Sequence, residues 1–61
     1  MTRKHFAKIA HTVKVTLAGC ETTDQELSVE RLARALATDL SEFNANFDRG
    51  RFLAACGVDN V

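Results

Sequence analysis

Apolar residues recur along the chain with helical spacing. Phe6, Ile9, Ala10, Val13 and Leu17 are separated by 3, 1, 3 and 4 positions, which gathers them on one face of a helix. The stretch HTVKVTLAG, His11 to Gly19, also alternates, with Val13, Val15 and Leu17 set against Thr12, Lys14 and Thr16. A strand there leaves Phe6, Ile9 and Ala10 outside any pattern, and the chain offers no second strand to pair with it. The helical reading places every apolar residue of the segment except Val15. The pattern therefore predicts a helix over about 3–18, capped by Thr2 and stopped at Gly19 by a left-handed residue.

The next periodic run is longer. Val29, Leu32, Ala33, Leu36, Leu40 and Phe43 follow at 3, 1, 3, 4 and 3, while Glu30, Arg31, Arg34, Thr38, Ser41 and Glu42 fall around the other side. Thr23 with Glu26 three residues on has the form of a capping box, so this helix is predicted over about 24–44. A short third helix, about 49–56, is marked by Asp48 as its cap. Phe47 and Phe52 make a hydrophobic staple across the first turn, and Gly57 supplies the stop. The expected fold is all-α: a helical hairpin plus a short C-terminal helix, in one domain over 1–61. Its expected core is Phe6, Ile9, Val13, Leu32, Leu36, Leu40, Phe43, Phe47, Phe52 and Leu53.

Composition supports that class. The chain of 61 residues has no proline, tryptophan or tyrosine, and its 4 phenylalanines are its aromatics. A chain this short buries only about 60% of its unfolded surface, so self-association is a natural supplement to its core. Val29, Ala33, Leu36, Leu40, Phe43 and Phe47, alternating 4 and 3, form a heptad-like seam through which a homodimer is expected. Cys20 and Cys56 are too few for a disulfide framework and read as reduced, buried thiols. The N-terminus has no apolar stretch of signal-peptide type, and no apolar run approaches the length that spans a membrane. A cytoplasmic protein without a membrane partner is expected.

The net charge is zero, but it is unevenly laid out. Residues 1–20 hold Arg3, Lys4, Lys8 and Lys14 and no acid, whereas residues 21–61 hold all 8 acids and four arginines. Lys4, Lys8 and His11 line one side of the first helix, flanked by Arg3 and Lys14. These five residues are the candidate interaction face. Candidate chemistry is otherwise sparse. His5 and His11 are six positions apart, about 240° around a helix, so with Cys20 they do not converge on a metal. No paired carboxylates, phosphate loop or nucleophile motif occurs, and so no catalytic, cofactor-binding or metal-ligating residue is assigned.

The segment Asn46-Phe47-Asp48-Arg49-x-Arg51-Phe52-Leu53-Ala54-Ala55-Cys56-Gly57, with Met1-Thr2-Arg3-Lys4-His5-Phe6 and Ile9-Ala10 at the front, resembles a family of small uncharacterised proteins of bacteriophages and related mobile elements. The likeness covers both ends and the overall length. Ala45 stands where that family often has proline, and Gly50 is unusual at the motif's variable position. The resemblance implies a source, a size class and life in a bacterial host's cytoplasm, and it implies no catalytic residue. The expected function is a non-enzymatic protein that binds a host or phage protein and modulates it, for instance by inhibiting a host defence or regulatory complex. The alternative is a nucleic-acid-binding regulator that uses the basic first helix.

Overall fold

In the computed structural model, which describes residues 3–58, three helices follow one another: α1 (Arg3–Ala18), α2 (Thr23–Phe43) and α3 (Arg49–Cys56). No strand occurs among the described residues, and HTVKVTLAG lies in the second half of α1 and the residue after it. Thr2, the expected cap of α1, lies outside the described residues.

The helix ends follow local chemistry, with two departures from the sequence reading. Gly19 is not left-handed; the one described residue at positive φ is Gly57. Instead the end of α1 tightens, with Gly19 N donating to Val15 O and Thr16 O, and Cys20 N to Leu17 O. Shortening to three-residue bonds is a common way to close a last turn. The cap of α2 is Thr22 rather than Thr23. Its hydroxyl accepts from Gln25 N at 3.1 Å, and Gln25 Oε1 accepts from Glu21 N at 2.8 Å. Two adjacent threonines, followed by Gln25 and Glu26, allow the same motif in either of two registers, and the earlier one is formed.

At its far end α2 breaks at Asn44, whose Oδ1 accepts from Asn46 N while its carbonyl accepts from Phe47 N. Asp48 caps α3 by accepting from Arg51 N at 3.0 Å, and Phe47 meets Phe52 with ring centroids 5.5 Å apart. Gly57, at φ 80°, closes α3: its N–H reaches Ala54 O, and Val58 N reaches Leu53 O at 2.9 Å. This pair of bonds is the Schellman arrangement, and it carries Val58 back into the core.

The three helices run up, down and up. Phe6 near the start of α1 meets Phe47 just before α3, at 4.8 Å between centroids. At the other end, a Cβ placed on Gly57 would lie 3.9 Å from Leu17 Cδ2. α3 packs on both long helices, most extensively on α1, whereas α1 and α2 share the least contact. The expected hairpin is thus held together chiefly by the short helix, which supplies the fully buried Leu53 and Cys56. Arg49 fastens α3 to α2 from outside, its Nη2 lying 3.5 Å from both Arg34 O and Thr38 Oγ1.

The core differs from the expected set in an instructive way. Ala10, Val13, Ala33, Ala37, Leu40, Phe52, Leu53, Cys56 and Val58 are buried, with Phe6, Ile9, Leu17, Val29, Leu36 and Phe47 partly buried around them. Leu32 and Phe43, both expected inside, are 57% and 78% exposed. The inward line of α2 runs Ala33–Ala37–Leu40, and at about 100° per residue Leu32 and Phe43 fall well to one side of it. Small residues on that line let the helices approach closely, which leaves larger neighbours at the edge. The expected dimer seam is split for the same reason, because Ala33 and Leu40 are enclosed by the chain's own helices.

Candidate interaction surface

Arg3, Lys4, Lys8, His11 and Lys14 are all exposed, on an arc of about 140° of α1. The buried Val13 lies on the opposite side of that helix, and the buried Ala10 beside the Arg3 edge of the arc. Val15, 57% exposed, sits within the arc. It is the apolar residue that the helical pattern left unplaced. Among the described residues no carboxylate lies within ion-pair distance of Arg3, Lys4, Lys8 or Lys14; the ion pair formed is Arg34–Glu30 on α2, at 3.5 Å. A surface pair of this i,i+4 type contributes only a few tenths of a kcal/mol, about 0.3–0.5.

One member of the basic face has a second role. Arg3 borders an open groove of about 520 Å³ between the first halves of α1 and α3, together with Arg51, Asn44, Asn46 and Asp48. Phe6, Phe47 and Phe52 line the same groove, tilted against one another by 59° and 54°. The Asp48 carboxylate is engaged by the backbone N–H of Arg51 as the α3 cap, so it serves the helix. Arg51 has no carboxylate partner among the described residues. The groove is thus lined by three aromatic rings, two cations and two amides beside the capping Asp48 carboxylate, a set with one net positive charge that suits an apolar segment bearing a carboxylate. Lys4, Lys8, His11 and Lys14 lie outside it and continue the positive surface along α1.

Sequence reasoning missed Arg51, Asn44 and Asn46. The available signal was Phe47-Asp48-x-x-Arg51-Phe52, in which the staple fixes both phenylalanines and so brings Arg51 beside them.

The thiols are quiet. Cys56 is buried, and burial pushes its pKa above the ordinary value, keeping it protonated. Cys20 is half-buried and its Sγ donates to Thr16 O. Among the described residues no three His, Cys, Asp or Glu side chains converge as metal ligands, and no helix is long and apolar enough to cross a membrane. No protein-family model, curated protein or solved structure matches the chain.

Proposed function

We propose that this protein is a non-enzymatic interaction module that grips an acidic, partly apolar segment of a partner protein and so modulates that partner. The observation that carries this reading is the groove that Arg3 and Arg51 line together with Phe6, Phe47 and Phe52. Aromatic and arginine side chains are the residue types that most often dominate binding energy at protein interfaces. The basic arc of α1 extends the surface and favours an acidic partner through long-range attraction. The resemblance of both chain ends to small phage and mobile-element proteins supports a bacterial host's cytoplasm as the setting, with a host or phage protein as the partner.

The experiment compares proteins captured from bacterial lysate by the wild-type chain and by the Arg3→Glu/Arg51→Glu variant, followed by reconstitution with the purified candidate. A partner held by the wild type, lost with the charge reversal and acidic at its contact supports the reading. A partner bound equally by both forms overturns it.

Arg3, Lys4, Lys8 and Lys14, which have no carboxylate partner among the described residues, favour a second reading, in which α1 lies along nucleic-acid phosphates. Micromolar binding to generic duplex DNA that weakens steeply with added salt would replace the first reading with this one. Absence of binding at low salt removes it.

A further inference from the structure

Along α2, exposed Leu32 and Phe43 with half-buried Val29 and Leu36 form an apolar strip that the chain's own helices leave partly uncovered. The strip borders a second groove, of about 290 Å³, whose other wall is Ile9, Thr12 and Thr16 of α1. Both threonine hydroxyls are used within α1: Thr12 Oγ1 donates to Lys8 O at 3.1 Å and Thr16 Oγ1 to Thr12 O at 2.8 Å. With those donors engaged, the groove presents an essentially apolar lining. Its occupant must be apolar and able to fill a cleft.

We propose that the occupant is a second copy of this chain, docked as an antiparallel pair of α2 helices about a two-fold axis near Leu36. The positions are self-complementary. Leu36 lies seven residues from Val29 and seven from Phe43, so a two-fold axis there sets each Phe43 beside the other copy's Val29. Phe43, at 78% exposure, is the projecting ring, and the groove flanked by Val29 and Leu32 is the cleft. Ring and cleft are separated by about 21 Å along each helix, the rise of two heptads, so one operation satisfies both copies and leaves neither unfilled. A parallel pair sets Phe43 against Phe43 and leaves both clefts empty.

Charge favours the same arrangement. The last two turns of α2 carry Asp39 and Glu42 and no cation, while α1 has no acid. At about 100° per residue, Lys8 falls next to Thr12 around α1 and Asp39 next to Leu32 around α2. An α2 laid antiparallel in the groove brings its acidic half alongside the other copy's basic helix. This interface lies on different residues from the Arg3–Arg51 groove and stands independently of the proposed function.

Sedimentation equilibrium of the full chain, from tens to hundreds of micromolar, tests it. Twice the 6.7 kDa chain mass is expected for the wild type. Phe43→Asp, at an exposed position, should keep the helical content and weaken dimerisation by at least about thirty-fold, as loss of a central aromatic anchor does. Asp39→Lys should weaken the dimer, and adding Lys8→Glu should restore it. A wild type that is monomeric at every concentration, a dimer indifferent to Phe43→Asp, or a charge swap that fails to rescue each overturns the proposal.

Discussion

Phe6 and Phe47 meet ring to ring at 4.8 Å, one near the start of the chain and the other just before its last helix. That contact, continued from Phe47 to Phe52 at 5.5 Å, ties the first turn of α3 to α1. It joins the fold to the candidate site, because the same three rings line the Arg3–Arg51 groove. Phe47→Ala should therefore act on both. A loss of about 2–4 kcal/mol is expected, somewhat below the cost for a fully enclosed phenylalanine. For a chain of this size that is a large part of the total stability. Urea titration followed by circular dichroism measures it, and a midpoint equal to the wild type's contradicts the assignment.

The leucines of the central region separate by position. Leu53→Ala removes one of the largest fully enclosed side chains and should cost about 2–5 kcal/mol. Leu32→Ala, at an exposed position, should stay within about 0.5 kcal/mol for the isolated monomer. Thermal melts at low protein concentration, where association is suppressed, compare the two. Equal costs would show that the inward line of α2 has been misplaced.

Two glycines give opposite expectations. Gly57 sits at φ 80°, so Gly57→Ala forces a side chain into the left-handed region, at a cost of about 1–2 kcal/mol, although its Cβ would meet Leu17 and Lys14 only at ordinary van der Waals contact. Gly19 is not in that region, and an added Cβ would meet only Thr16 O at 3.6 Å and Val15 O at 3.7 Å. Gly19→Ala should then be neutral or raise stability by about 0.4–1 kcal/mol through the unfolded chain. A melting temperature lowered by Gly19→Ala would argue for the left-handed stop after all.

Neighbouring threonines make a sharp comparison at the start of α2. Thr22→Ala removes the hydroxyl that accepts from Gln25 N and should cost about 1 kcal/mol. Thr23→Ala, inside the first turn, should be neutral or slightly stabilising on helix propensity. Chemical denaturation of the two variants decides the register, and a reversed order would move the cap to Thr23.

Cys56 links pH to stability. Burial raises its folded pKa above the unfolded value near 9.0, so the folded state holds the proton more tightly. Its contribution is fully present below about pH 9 and falls as the pH climbs from there through the folded pKa. Cys56→Ala should flatten that alkaline loss while lowering stability at neutral pH, because the buried sulfur no longer fills its place. Melts over a pH series read both effects, and an unchanged alkaline slope would remove Cys56 as the cause.

The helices were legible because each carries its own start, stop and period. Asp48, the Phe47–Phe52 staple and Gly57 appear in the structure in the roles their sequence positions suggest. The core was less legible, because side-chain size and helical angle point to different residues of α2. Ala33 and Ala37 have little apolar bulk, yet they take the inward line of α2, and Leu32 and Phe43 lie beyond its edge. Val58 was missed because it follows the helix stop. The hydrophobic residue after a Schellman glycine was the available signal. For the candidate surface, the basic arc of α1 could be read from one helix alone. The pairing of Arg3 with Arg51 needed the direction of α3 relative to α1, which no local pattern carries.

The short helix that joins the other two is also made after both of them. While a ribosome is still adding α3, α2 lies within the exit tunnel, and α1, which has emerged, has nothing to close over its apolar stripe. The nascent chain at that stage presents a single amphipathic segment. Consolidation therefore waits on the arrival of Leu53 and Cys56. Until then the growing chain exposes to chaperones and proteases the surface that the finished protein hides.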